Sequence, residues 1–222
     1  MGVGEGDARA GPRRSGPSFD RDFWDGRWSE VLRDHAAQIA QRPPSAYLTA
    51  TAGELVPGHA LDAGCGHGAE TLWLAARGWR VTAVDFSAPA LAQGRSTAAA
   101  LGSDVAGRID WVEGDLGAWT PGAGLYDLVV SLYVHVAGSV EDMVARLAGG
   151  VAPGGTLLLV GHLPVDPVTG AETPAAGQVQ VTVDAAAAVL GAERWEMLVA
   201  EDRPRTVVGS GFDAVVCARR RG

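Results

Sequence analysis

The segment ALDAGCGHGAE, residues 60–70, constrains this chain more than any other stretch. A short apolar lead ends in Asp62, glycines alternate at Gly64, Gly66 and Gly68, and a helix-like run opens near Glu70. That order predicts a strand that stops abruptly, a loop whose backbone admits a ligand without Cβ interference, and a helix whose N-terminus faces the ligand. A nucleotide-type site is implied. The rest of the chain must say which nucleotide.

The flanking segments alternate. HALDAG (59–64) reads as strand one, followed by a helix over residues 70–77 that Gly78 stops. WRVTAVD (79–85) is strand two, with the β-branched and aromatic bias of a sheet, and a helix opens after it near Ser87 and Pro89, with Ser87 as its cap. RIDWVEGDL (108–116) is strand three. LYDLVVSLYVHV (125–136) holds strand four and its exit loop, and a helix over 140–149 is followed by an APGG turn (152–155) and TLLLVGH, strand five. Strand, helix, strand connections require crossovers, so the fold class is α/β: a Rossmann-like, doubly wound, mostly parallel sheet with helices on both faces. RWEMLVAEDR (194–203) and GFDAVVCARR (211–220), joined by a turn at 206–211, complete seven strands as an antiparallel pair.

Three further regions frame this core. Residues 1–18, rich in glycine, arginine and proline, are expected to form a disordered tail. Residues 19–57 are expected as a helical cap: the aromatic run FDRDFWDGRW, one or two short helices, and a helix over 46–55 capped by Ser45. Residues 58–162 carry the cofactor-binding core. Residues 163–222 supply a proline-rich substrate loop, a short helix over 184–190 capped by Asp184, and the closing strands.

Composition removes several function classes. A formal charge of −8 and a pI near 5.0 argue against nucleic acid as the main partner. All 18 basic residues are arginine, which excludes a Schiff-base lysine, pyridoxal-phosphate chemistry by that route, and a P-loop lysine. Cys65 and Cys217 are too far apart in sequence for metal-ligand spacing and read as free thiols of a reducing compartment. The histidines form no metal motif, so no metal is expected. With no apolar run of about 18 residues and no signal-peptide core, no membrane association and a cytoplasmic location are expected.

Gly64, Gly66 and Ala69 fit the dinucleotide pattern G-x-G-x-x-G/A, with Asp85 near the distance of a ribose-binding acid. This leaves NAD(P), and hence an oxidoreductase, and S-adenosylmethionine both open. Asp62 ahead of the first glycine suits an ammonium and would repel a pyrophosphate. Asp115 adds a third acid at a strand end, and the antiparallel finish departs from a dinucleotide fold. Together these favour S-adenosylmethionine.

The ordered set LDAGCGHG, VTAVDFS, IDWVEGDL, YDLVVSLYVHV and APGGTLLLVGH resembles the class I S-adenosylmethionine-dependent methyltransferases over residues 58–162, and the closing strands extend the likeness to the C-terminus. The FWDGRW entry and small size are more loosely similar to the small bacterial methyltransferases related to thiopurine and tellurite-resistance enzymes. The resemblance implies roles at matching positions. Asp62 and the Gly64 backbone would address the methionine amino group; Gly66 and Gly68, with Cys65 between the first two glycines, would let the cofactor approach. Asp85 would bind both ribose hydroxyls, with Phe86 beside the adenine. Asp115 would accept from the adenine amino group, the Leu116 N–H would meet a ring nitrogen, and Ser131 and Leu132 would line the methionine side.

The activated methyl of such a donor needs only an aligned nucleophile and, for some acceptors, a base. His135 and His162 follow strands four and five at the carboxyl edge, where ligands of this fold bind, and imidazole titrates in the useful range. Both are candidate catalytic and substrate-binding residues; Tyr133, Trp24 and Trp28 are substrate-contact candidates, the tryptophans as a lid or as a cover of the core edge. His67 is expected to shape the cofactor site, and Asp166 and Glu172 to lie in the substrate loop. The expected reaction is methylation of oxygen or nitrogen on a small metabolite, yielding S-adenosylhomocysteine, by a monomer or homodimer. A thiol or other soft acceptor, or a non-methylating use of the cofactor such as a cyclisation, are the alternatives.

Overall fold

The computed structural model describes residues 21–136, 138–173, 175–205 and 211–222. The expected tail and most of the turn at 206–211 lie outside them. Seven strands form one sheet: β1 (His59–Ala63), β2 (Arg80–Asp85), β3 (Ile109–Glu113), β4 (Tyr126–Leu132), β5 (Val151–His162), β6 (Trp195–Pro204) and β7 (Phe212–Arg220), in the order β3-β2-β1-β4-β5-β7-β6. β1 to β5 pair in parallel, and β7 runs antiparallel to both β5 and β6. β7 therefore inserts between its hairpin partner and the parallel core.

In the central strands β4, β5 and β7 the apolar runs are nearly continuous because both faces of the sheet are covered there, whereas the edge strands β3 and β6 are largely half-buried or exposed. Side chains alternate between two cores along each strand. Leu61, Val129, Leu157, Leu159 and Val216 join Met143, Val144 and Leu147 of α6 (Val140–Gly150) and Ala186 of α7 (Val183–Val189). Ala60, Leu128, Val130, Leu158 and Val215 face the opposite side, against Leu48 of α2 (Ala46–Ala52) and Leu74 of α3 (Ala69–Ala76).

Several boundaries shift for local reasons. Ser45 caps α2, its hydroxyl accepting from the Tyr47 N–H, but the helix ends at Ala52. α4 (Ala88–Leu101) starts after Ser87, whose side chain makes no capping bond. The cap of α7 is Thr182, whose hydroxyl accepts from the Ala185 N–H, and not Asp184. The APGG segment is an irregularity inside β5, which re-pairs with β4 from Thr156 onward. A four-residue α5 (Ser103–Ala106) precedes β3, which ends at Glu113 and leaves Asp115 in the following loop.

The N-terminal aromatics lie on α1 (Arg21–Ala40), a helix with a non-helical residue at His35 and no buried residue. It contributes little to the core and lies over the carboxyl-edge loops instead. Arg21 pairs with Glu113 at 2.9 Å and sits 5.9 Å from the Phe86 ring. No helix among the described residues is long and apolar enough to cross a membrane.

Candidate active site

The strand order reverses between β1 and β4, so a crevice opens at their carboxyl ends. The glycine loop lines it. Gly64, Gly66 and Gly68 have φ of 83°, 53° and 85°, a region L side chains avoid. A Cβ at Gly66 would come within 2.9 Å of the Trp28 ring, and one at Gly64 would meet Val134. Backbone bonds fix the loop: the N–H groups of Gly64 and Cys65 both donate to the Val84 carbonyl, and the Gly68 N–H donates to Cys65. The Gly64 N–H is thus engaged, and its carbonyl is the group suited to an ammonium.

Asp85 ties this loop to α4. Its Oδ2 accepts from the Gly66 N–H and its Oδ1 from the Ser87 N–H, each at 2.8 Å. Burial raises its pKa, and the two backbone bonds oppose that rise. Asp62 is 3% exposed, and its Oδ2 accepts from the Thr71 hydroxyl at 2.5 Å. Burial first, then the charges of Glu70 and Asp85, push its pKa up to about 8 against the Thr71 bond. Three carboxyls crowding one glycine loop are relieved by a cation and aggravated by a diphosphate. The cradle and its charge fit a sulfonium donor bearing an ammonium group.

The other cofactor candidates divide. The Cys65 side chain packs with Ala83 and Leu91, so only its backbone is in the loop. Asp115 is exposed and its Oδ1 accepts from the Gly117 N–H at 2.8 Å; Leu116 is buried, and its carbonyl accepts from Arg146. Ser131 is buried within β4, its hydroxyl without a hydrogen-bond partner among the described residues, and Leu132 ends that strand. His67, 7% exposed, lies 5.4 Å from the Trp28 ring, and burial together with Arg42 lowers its pKa to about 4.

A second group of side chains gathers at the ends of β4 and β5. Trp24 lies 5.1 Å from the His135 ring, and Tyr133 stacks on His162 at 4.2 Å. Burial and the neighbouring His162 lower the His135 pKa to about 4, so this imidazole is neutral at ordinary pH and a weak base. Tyr133 has φ of 59°, the non-glycine residue with positive φ among the described residues. Such a conformation costs about 1–3 kcal/mol and persists where the surroundings impose it.

Sequence reasoning missed what lies behind His162. Its Nδ1 is 2.9 Å from Oδ1 of Asp213, which also accepts from Arg205 Nε at 3.0 Å. Oδ2 of Asp213 accepts from the hydroxyls of Tyr133 and Tyr47 at 3.2 and 3.4 Å. Burial raises the Asp213 pKa, but the His162 and Arg205 bonds outweigh it and hold the carboxyl below its usual range. The available signal was an acid inside an otherwise apolar strand, GFDAVV. Asp166 stays in its loop, accepting from the Val168 and Thr169 N–H groups, and Glu172 is exposed. A separate cavity of about 310 Å³ opens between α2 and β5 to β7, walled by Thr51, Glu54, Val215 and Cys217 among others, away from the glycine loop.

Residues 60–155 match the model of a family described as a methyltransferase domain. A trans-aconitate 2-methyltransferase of Streptomyces avermitilis is 39% identical over 140 residues, covering 58% of this chain and 48% of the relative. A malonyl acyl-carrier-protein O-methyltransferase of Salmonella typhimurium is 34% identical over 144 residues, covering 63% and 53%. The chain thus spans about half the length of these curated relatives. A crystal structure of a 1,6-didemethyltoxoflavin-N1-methyltransferase from Burkholderia thailandensis, with S-adenosylhomocysteine bound, superimposes over 97% of both chains with a TM-score of 0.63 at 20% identity. That likeness is one of fold.

Proposed function

We propose that this chain, which belongs to the class I S-adenosylmethionine-dependent methyltransferases, methylates oxygen or nitrogen of a small-molecule metabolite. S-adenosylmethionine is the cofactor of the family; when bound it supplies an electrophilic methyl carbon and departs as S-adenosylhomocysteine. The observation that carries the acceptor reading is the aromatic and imidazole wall of Trp24, Tyr133, His135 and His162 beside the glycine cradle, under one helix. The net charge of −8 supports a small molecule over a nucleic acid.

The residues divide the work between two ends of the crevice. Asp62 and the Gly64 carbonyl hold the ammonium, while Gly66 and Gly68 allow close approach. Asp85 accepts from the ribose hydroxyls with the lone pairs its two backbone bonds leave. Phe86 lies against the adenine, Asp115 and the Leu116 N–H address its edge, and Ser131 and Leu132 line the methionine side. At the other end Trp24, beside His135, and Tyr133, beside His162, contact the acceptor, and holding the acceptor in line supplies much of the acceleration.

The test is a metabolite extract incubated with methyl-labelled S-adenosylmethionine, with S-adenosylhomocysteine quantified in parallel. Label in an oxygen or nitrogen product, matched by S-adenosylhomocysteine, is expected. Label on sulfur would replace the acceptor class, and a transformed metabolite without S-adenosylhomocysteine would replace methyl transfer by a non-methylating use of the cofactor.

A further inference from the structure

His162 and Asp213 are directly opposed across the β5–β7 pairing, one at the end of the last parallel strand and the other near the start of the antiparallel one. Asp213 is 1% exposed and receives four donors, two on each oxygen: His162 and Arg205 on Oδ1, Tyr133 and Tyr47 on Oδ2. An ionised carboxylate beside a guanidinium only accepts, so Nδ1 of His162 carries the hydrogen and Nε2 keeps its lone pair. The ring is also held in place. Tyr133 stacks on one ring face, and the backbone N–H of His162 donates to Gln180 Oε1 at 2.8 Å, which fixes the main chain that carries the ring. With Nδ1 directed at a buried acid and the side chain 27% exposed, the accessible nitrogen is Nε2.

Resting on the methyltransferase reading, we propose that Nε2 of His162 is the base that takes an O–H or N–H proton from a neutral, flat acceptor, and that Asp213 is its positioning residue. The proton passes from the acceptor to Nε2 and then to water, the electron pair of the broken O–H or N–H bond forms the new bond to the donor methyl, and the methyl–sulfur bond breaks with its pair kept by the sulfur of the departing S-adenosylhomocysteine. The relatives' names include enzymes acting on aconitate and on a malonyl group, acids whose carboxylates have no proton to give. A fixed base adds nothing for such acceptors. The guanidinium that touches the dyad, Arg205, is already bonded to Asp213, and the adjoining walls are the rings of Trp24, Tyr133 and neutral His135. This surface suits a planar neutral molecule better than a polyanion.

Two measurements decide it. Long-range proton–nitrogen correlation spectra of histidine-labelled protein, with the His162 signals assigned by their loss in His162→Gln, read the tautomer without donor or acceptor. In the neutral ring the hydrogen is expected on Nδ1, which faces Asp213, and an Nε2–H tautomer overturns the proposal. Phenols, N–H heteroaromatics and tricarboxylic acids are then offered with labelled S-adenosylmethionine. Label is expected in the first two panels, with kcat rising through one ionisation as pH increases. Tyr133, Tyr47, His135, Arg205 and Asp213 face that imidazole, and the ionisation is assigned to His162 by its disappearance in His162→Gln, which also lowers kcat by about 10²-fold or more. Asp213→Asn lowers kcat with little change in KM and brings in the other tautomer; if that variant does not fold, the wild-type tautomer and His162→Gln still decide. Label confined to tricarboxylic acids, no label in any panel despite donor binding, or full rate in His162→Gln overturns the proposal. Failure of S-adenosylmethionine to bind in calorimetry is a separate outcome that removes the underlying reading instead.

Discussion

Trp24 and Trp28 stand one helical turn apart on α1, the first 5.1 Å from His135 and the second 5.4 Å from His67. Residues four apart share a helix face. One helix therefore covers the glycine cradle and the imidazole wall at once.

Trp28→Ala is expected to weaken S-adenosylmethionine binding about tenfold, the scale of one lost aromatic contact of about 1.4 kcal/mol. Trp24→Ala should leave donor affinity unchanged and raise KM for the acceptor. Calorimetric titration with the donor separates the two variants. Equal losses of donor affinity would show that the helix acts only as a whole.

Asp85→Ala removes more than a ribose contact, because the Gly66 and Ser87 N–H groups both end on this carboxylate. Leaving such donors without a partner costs about 1–3 kcal/mol each where they are buried. Weaker donor binding is thus expected together with a lowered melting temperature, and Asp85→Asn, which keeps one acceptor oxygen, should melt between the wild type and Asp85→Ala. An Asp85→Ala variant as stable as the wild type would separate the carboxylate from the loop's integrity.

The parallel core was legible because short apolar runs alternate with helical segments, because β1, β2 and β3 run into Gly64, Asp85 and Glu113 at their carboxyl ends, and because the positive-φ positions at Gly64, Gly66 and Gly68 tolerate little else. The dyad was not. His162 and Asp213 are 51 residues apart, and they meet only because β7 inserts between β5 and β6, a register that no local pattern encodes. Ser87 holds the N-cap position of α4 as expected, without a side-chain bond, whereas Asp184 is not the cap of α7. The Ser87 N–H donates to Asp85, and Thr182, two residues ahead of Asp184, already offers its hydroxyl to α7 in place of that carboxylate.

Asp62 makes donor binding proton-linked. With its pKa pushed up to about 8 by burial and by Glu70 and Asp85, its carboxyl is mostly protonated at neutral pH. An ammonium brought beside it favours the ionised form, so binding releases a proton. Calorimetry at neutral pH in buffers of different ionisation enthalpy should give heats that vary with the buffer, and Asp62→Asn should remove most of the variation. Buffer-independent heats in the wild type would mean that Asp62 does not meet the cationic end of the donor.

His67 and His135 set the acid side of stability. Burial holds both to about 4, with Arg42 and His162 adding repulsion, against an ordinary value of 6.5. Between those limits the unfolded chain binds protons that the folded chain refuses, so their contribution is present above 6.5 and is lost as pH falls toward 4. Asp62 acts in the opposite sense: its folded pKa lies above the usual 3.8, so the folded state is favoured at low pH and loses that advantage as pH rises toward 8. The wild-type profile is a sum of opposed slopes, and the informative quantity is the difference between urea midpoints of wild type and variant at each pH. His67→Gln and His135→Gln should each lose less stability than the wild type as pH falls from 6.5 to 5, whereas Asp62→Asn should remove the decline between 5 and 8. Histidine variants with the wild-type slope would mean that these imidazoles reach solvent and protonate without unfolding.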